Sequence, residues 1–182
     1  MADIAKKLGV STKTLYQYVG DKNELVTLAV TSHFTKYQEF YENTVIADTS
    51  KNAIDQFLDS SRYLLELLSE FHPTAYFEMS KFHPSAKNIV DDFLNGFVKE
   101  RMYENLDRGI EENLYRKNIQ KSFVFSLYKL VLTNILDGYF TNQTKMNHHN
   151  VYQHFYEYHV HGLVTPSGLQ YFNSKINNNL YE

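Results

Sequence analysis

MADIAKKLGVSTKTLYQYVGDKNEL, Met1 to Leu25, decides how the rest of the chain is read. Ile4, Ala5 and Leu8 share one helical face, and Gly9 then breaks that helix, because glycine tolerates the left-handed conformation a sharp turn needs. A second helix can start almost at once, capped by Ser11 or Thr12, with Leu15 and Val19 as its apolar side. Ala5 falls where two steeply crossing helices come closest, a place for a small side chain. Two short helices around a glycine turn predict a helix-turn-helix, whose second helix enters the major groove of DNA. Lys13, Thr14, Gln17 and Tyr18 are left pointing away from the packed side. Their amine, hydroxyl, amide and phenol are the groups that read base edges and grip phosphates.

Those residues also carry a likeness. DIAKKLGVSTKTLYQYVGDKNEL resembles the DNA-binding signature of the TetR family of bacterial transcriptional regulators, in its IA pair, its GVS turn, its TLYQY recognition helix, and the lysine and leucine opening the next helix. Val19 stands where the family more often has phenylalanine. HPTAYFEMSKFHPSAK (residues 72–87) and EYHVHGLVTPSGLQYF (residues 157–172) are similar to segments of regulatory domains in the same family. The resemblance implies an all-α protein, with a helix-turn-helix and connecting helix over residues 1–43 and a ligand-binding and dimerisation domain over residues 44–182. It implies that Lys13, Thr14 and Gln17 face the groove, with Gln17 reaching an adenine edge. Tyr18 and Lys22 would hold phosphates, Lys22 helped by the N-terminus of its own helix. Tyr16 either holds a phosphate too or packs into the motif core, and Ser11 and Thr12 complete the expected DNA-facing set. The family carries a helix ahead of this motif. A native N-terminus upstream of Met1 is therefore expected, since Ile4, Leu8, Leu15 and Val19 want a third helix over them.

The chain of 182 residues suits one or two small domains. Net charge is -3, yet residues 1–30 hold four lysines against three acids, so the slight positive bias is local to the motif. With no cysteine there is neither a disulfide framework nor a thiolate metal site. No signal peptide opens these residues, and the longest apolar stretch, Phe123 to Leu136, carries Lys129 and Asn134 and is too short for a membrane span. A soluble cytoplasmic protein without membrane contact is expected.

Three prolines, seven glycines and no sustained alternation of apolar and polar residues predict helices throughout. Asp21 with Glu24 forms a capping box, starting a helix at Lys22 that runs to about Tyr41. Thr44 to Ser50 reads as a loop and Asn52 to Phe71 as an amphipathic helix. His72-Pro73 and His83-Pro84 break the chain around a short helix, Ala75 to Lys81. Ser85 to about Arg108 is a long helix ending near Gly109, and Asn118 to Gly138 is apolar nearly all round. A polar loop runs through His148, and Asn150 to Leu163 is the last full helix, ended by Thr165-Pro166 before a frayed tail from Asn173.

Asn118 to Gly138 bears two apolar stripes, Phe123, Leu127 and Leu130 on one side and Val124, Val131 and Ile135 on the other. One stripe can face the domain's core and the other a second copy, or both can be core. Tyr152, Phe155, Tyr156 and His159, with Gly162 permitting close approach, form a similar stripe. The family resemblance implies a homodimer, with Val124, Val131 and Ile135 joining that second stripe in a four-helix interface. Paired half-sites about 34–36 Å apart on double-stranded operator DNA also need paired recognition helices. Fifteen tyrosines and thirteen phenylalanines fit an aromatic-walled pocket as well as an ordinary core. The expected pocket residues are Tyr63, Tyr76, Phe77, Phe93, Phe97, Phe123 and Tyr128, with Glu78, Asn134 or His72 as polar anchors for an apolar or aromatic effector.

Enzymatic and metal chemistry find little support. None of the pairs among His148, His149, His154, His159 and His161 has the i,i+3 or i,i+4 spacing of a helical metal pair, which favours surface or interface roles. No Gly-x-Ser-x-Gly and no Gly-rich phosphate loop occurs. Neither catalysis nor a cofactor is expected. The expectation is a ligand-responsive DNA-binding regulator, most simply a repressor; the alternative is a dimeric small-molecule binder without effective operator binding.

Overall fold

A computed structural model describes residues 1–69 and 75–176, leaving side chains at 68 and 69 aside. Among these the chain is all-helical; the sole extended pairing is an isolated bridge between Tyr115 and Val164. It begins with α1 (Ala2–Lys7) and α2 (Thr12–Leu15), then α3 (Lys22–Phe40), which continues into a π-helical turn, Tyr41–Val45. The amphipathic α4 (Ala53–Ser69) follows, then α5 (Ala75–Phe82) and α6 (Pro84–Phe93). A second π-helical turn, Leu94–Val98, joins α6 to α7 (Lys99–Glu111). The chain closes with α8 (Lys121–Leu136), α9 (Tyr139–Thr144), α10 (His148–Leu163) and α11 (Pro166–Ile176).

Local chemistry explains the boundaries. Asp21 accepts a hydrogen bond from the Glu24 amide at 2.8 Å, and the Glu24 carboxylate accepts from the Gly20 amide at 2.6 Å, so the box at the head of α3 forms one residue wider than the simplest version. At α6, Pro84 occupies the first helical position, where its missing N–H costs nothing.

Several sequence expectations need correction. The helix through Arg108 does not stop at Gly109 but runs to Glu111, where Asn113 takes the left-handed conformation (φ 58°). The Leu114 amide reaches back to the Gly109 carbonyl at 2.9 Å and the Asn113 amide to Ile110 at 3.1 Å, a Schellman closure with asparagine in the usual glycine place. Gly109 serves another purpose: a Cβ there would lie 2.0 Å from the Tyr115 ring. That ring is fully buried, and its hydroxyl donates to Asn105 at 3.2 Å. The expected loop from Thr44 loses Thr44 and Val45 to the π-helical turn. The stretch before His148 contains α9, and although α10 ends at Leu163 ahead of Thr165-Pro166 as expected, it is not the last helix: Pro166 starts α11, which reaches through Asn173 to Ile176. His72-Pro73 lies outside the described residues.

Packing divides into three clusters. Ala5, Leu15 and Val19 form a small one with Met1, Ile4 and Leu25. The largest gathers α4 to α11 and takes Val30 from α3, with Val26 and Phe34 packed against it. A third, of Tyr37, Tyr41, Val45 and Leu67, is edged by Phe40, Tyr63, Phe93 and Phe97. Helix α3 therefore contributes to every cluster, from Leu25 near its start to Phe40 at its end.

Candidate functional site

The local turn and cap near the N-terminus form at residues the sequence marks for them. Gly9 adopts φ +68°, and the amides of Gly9 and Val10 return to the carbonyls of Lys6 and Ala5 at 3.2 and 3.0 Å, closing α1. Of the two possible caps, Ser11 takes the role: its Oγ accepts from the Thr14 amide at 2.9 Å, while Thr12 is the first helical residue. Ala5, Leu15 and Val19 are buried together. Regular α2 is a single turn, extended by tighter i→i+3 bonds from Gln17 to Thr14 and from Tyr18 to Leu15, each 3.1 Å.

Ser11, Thr12, Lys13, Tyr16, Gln17, Tyr18 and Lys22 are all exposed. Thr14 is half-buried, its hydroxyl 2.8 Å from Ser11 Oγ, so part of its hydrogen-bonding capacity is spent within the cap. Tyr16 is about half exposed and absent from the motif core. Leu8 is exposed as well, at 62%, and Val10 lies open beside it.

The second feature is a cavity of about 410 Å³ between α3, α5, α6, α8 and the start of α10. Tyr76, Phe93 and Tyr128 line it as expected from the sequence. Four other expected residues do not. Phe97 faces a separate small pocket with Arg101 and Asn105, and Tyr63 stacks on Phe40 with centroids 3.9 Å apart. Phe77 and Phe123 are exposed. Of the proposed anchors, Glu78 is exposed, Asn134 donates to the Leu130 carbonyl of its own helix at 2.8 Å, and His72 lies outside the described residues.

The unanticipated wall is α3, which supplies Val26, Ala29, Val30, His33, Phe34 and Tyr37. Val26, Val30, Phe34 and Tyr37 recur at helical spacing, a signal present in the sequence but carried by a helix that reads there as a connector. Phe34 stacks on Phe93 with centroids 4.1 Å apart, locking α3 to α6 across the cavity edge. His148 is another missed residue. It begins α10 and lines the cavity, and its Nε2 is buried without a hydrogen-bond partner among the described residues. Burial holds its pKa below the ordinary imidazole value.

The expected dimer stripes are redistributed. Ile135, Tyr152, Tyr156 and His159 are buried within the chain, and Val124, Val131 and Phe155 pack against the same core. The reason is that α10 crosses both α4 and α8, so its aromatic side is used within the chain, as in the Phe57–Tyr156 stack at 5.2 Å. Gly162 remains exposed, with nothing within 4 Å of a Cβ placed on it. The open side of α8 is the other stripe, with Phe123 66% exposed, Leu130 60%, and Leu127 between them. His159 is no surface histidine; the rings of Phe57, Tyr128 and Phe155 surround it, and burial lowers its pKa to about 4.

Among the described residues no three histidine, aspartate or glutamate side chains come together as metal ligands, and no helix is long and apolar enough to cross a membrane. Comparison with protein-family models, curated proteins and solved structures returns no match.

Proposed function

We propose that this chain is a ligand-responsive, DNA-binding transcriptional regulator of the TetR type, acting as a homodimer and released from its operator by a small apolar or aromatic effector. The observation that carries the reading is the sharing of α3. Its first turn carries the exposed Lys22, which follows the exposed Lys13, Gln17 and Tyr18 in the chain, and its next three turns wall an apolar cavity. A ligand that prefers one tilt of α3 would move the recognition helices of a dimer out of half-site register. It can do so only by differential affinity: a tenfold loss of operator binding requires about 1.4 kcal/mol. The exposed Phe123, Leu127 and Leu130 of α8 supply an apolar face of the kind that pairs with a symmetry mate.

The test is a gel shift against the DNA upstream of the chain's own gene, with and without random competitor. Retarded, competitor-resistant complexes support the reading; equal binding to all sequences, or none, counts against it. The second reading, a dimeric small-molecule binder without effective operator binding, draws on the single regular turn of α2 and the exposed Leu8 and Val10, which leave the motif thinly covered. Cavity binding without a gel shift is its signature.

A further inference from the structure

We propose that the α3–α8 cavity takes up uncharged molecules built on a carbon chain or ring, rejects the corresponding acids and amines, and admits its ligand beside Ala29 of α3. This rests on the reading of the cavity as the effector site and adds a rule of selection: a neutral ester is a ligand where the isomeric carboxylate is not.

No lysine, arginine, aspartate or glutamate is among the described residues lining the cavity. One ammonium does touch a wall residue: Lys87 bonds to the Tyr76 hydroxyl, but Asp91 holds the same ammonium at 2.6 Å, so the pair brings no net charge. The other tyrosine hydroxyls of the wall are engaged too, Tyr37 with Ser60 at 2.6 Å and Tyr128 with Tyr152 at 3.0 Å. Two imidazoles remain. Nε2 of His33 and Nε2 of His148 are both buried, so neither is presented to the cavity. His148 Nε2 lies instead 3.8 Å from where a Cβ would stand on Gly138, which is no part of the wall. Burial also disfavours the His148 imidazolium.

A carboxylate or ammonium brought inside leaves water and meets no counter-charge. It must either stay ionised at that cost or change its protonation first, and both lower its affinity at neutral pH. A carbon skeleton meets no such penalty. Val30, Met79, Leu94, Leu132 and Ile135 give it a buried aliphatic wall, and an ester oxygen costs far less to desolvate than a carboxylate. Exposure places the entrance. Ala29 alone among the described wall residues is exposed, with the half-buried His33 one turn further along α3. A methyl at position 29 leaves the gap open, where a longer side chain would cover it.

The experiment measures the affinity of the full chain at neutral pH for methyl heptanoate, octanoate and octylamine. The first two are isomers apart from one proton, and the third is an ammonium under these conditions. Methyl heptanoate is expected to bind at least about tenfold tighter than either ion. Ala29→Lys sets an ammonium at the entrance, so the ester's advantage over octanoate should shrink several-fold while its advantage over octylamine persists. Ala29→Met, of similar length and without charge, should leave both ratios as they were. An ion that comes within that tenfold margin of the ester on the unaltered chain, or binds tighter, overturns this inference and leaves the effector cavity standing. An advantage over octanoate that Ala29→Lys does not alter, in a variant that still binds the ester, overturns the placing of the entrance. Binding of none of the three to the unaltered chain overturns the effector cavity and the inference together.

Discussion

His83 Nδ1 lies 2.5 Å from Asn23 Oδ1, a hydrogen bond that ties the head of α6 to the first turn of α3, one residue from Lys22. Val90 and Phe93 of the same α6 line the cavity. The cavity and the exposed face of the N-terminal motif are thus joined by two routes: along α3 itself, and across α6 through this one polar contact.

The contact predicts a separation of functions. Asn23→Ala should leave operator affinity of the free protein and ligand affinity of the cavity nearly unchanged, because Asn23 belongs to neither surface. It should shrink the factor by which a cavity ligand weakens operator binding, by about 1 kcal/mol if one such hydrogen bond carries the second route. Operator titrations with and without ligand measure that factor, and an unchanged factor would place all the coupling on α3. Reciprocity requires operator DNA to weaken ligand binding equally, which calorimetry checks independently.

On the DNA side, Lys22 and Gln17 should fail differently. If Lys22 holds a phosphate as proposed, Lys22→Ala should weaken operator and random DNA alike and flatten the salt dependence. Gln17→Ala should cost discrimination at one base position, about 1–3 kcal/mol if the pairing is bidentate. Equal losses on every sequence for both variants would remove Gln17 from base reading.

What the sequence discloses is what local chemistry decides. The Gly9 turn and the Asp21–Glu24 box involve residues within four positions of each other and are legible without a structure, as is the α2 cap to within Ser11 or Thr12. Gly109 is not, because its reason arrives six residues later as the Tyr115 ring, while Asn113 does the work of ending the helix. Pro166 reads as a stop, since proline cannot continue a helix, yet the same residue is favoured at the first position of a new one. Periodicity finds the two stripes of α8 but gives no direction. Only the crossing of α10 over α4 and α8 reveals that Ile135 goes inward and Leu130 outward. The cavity is half legible for a similar reason: Tyr76, Phe93 and Tyr128 are aromatic and easily suspected, whereas His148 sits in a polar stretch and becomes a wall residue through tertiary placement alone.

The glycines give a stability test with opposite signs. Gly109→Ala places a methyl 2.0 Å from the buried Tyr115 ring, and Gly168→Ala places one 2.1 Å from the Leu114 carbonyl oxygen. Neither neighbour has room to yield, so each change should cost about 1–3 kcal/mol or more. A Cβ on Gly96 meets nothing within 4 Å, so Gly96→Ala should stabilise by about 0.5–1 kcal/mol by lowering the freedom of the unfolded chain. Urea unfolding midpoints order the three variants. A destabilised Gly96→Ala would mean that the Leu94–Val98 turn is closely covered in the protein as it exists in solution, by a second copy or otherwise.

The last prediction concerns His159 and acid. Its imidazole is enclosed by Phe57, Tyr128 and Phe155, and its Nε2 has no hydrogen-bond partner among the described residues. Burial depresses the folded-state pKa to about 4, from an ordinary value of 6.5. Above pH 6.5 neither the folded nor the unfolded chain protonates this group, so its full contribution is present. As pH falls below 6.5 the unfolded chain takes up the proton and the folded chain does not, so stability is lost until the folded pKa is reached. Between pH 7 and pH 5 that loss amounts to about 2 kcal/mol. His159→Phe fills the same aromatic site without a titratable group, so its decline over that interval should be shallower by about the same amount. Groups common to both proteins, such as His148 with its lowered pKa and Asp137 with its raised one, cancel in the difference. Urea unfolding of both proteins at pH 7 and pH 5 gives the comparison, and parallel declines would mean that the His159 imidazole is open to water rather than enclosed by its three rings.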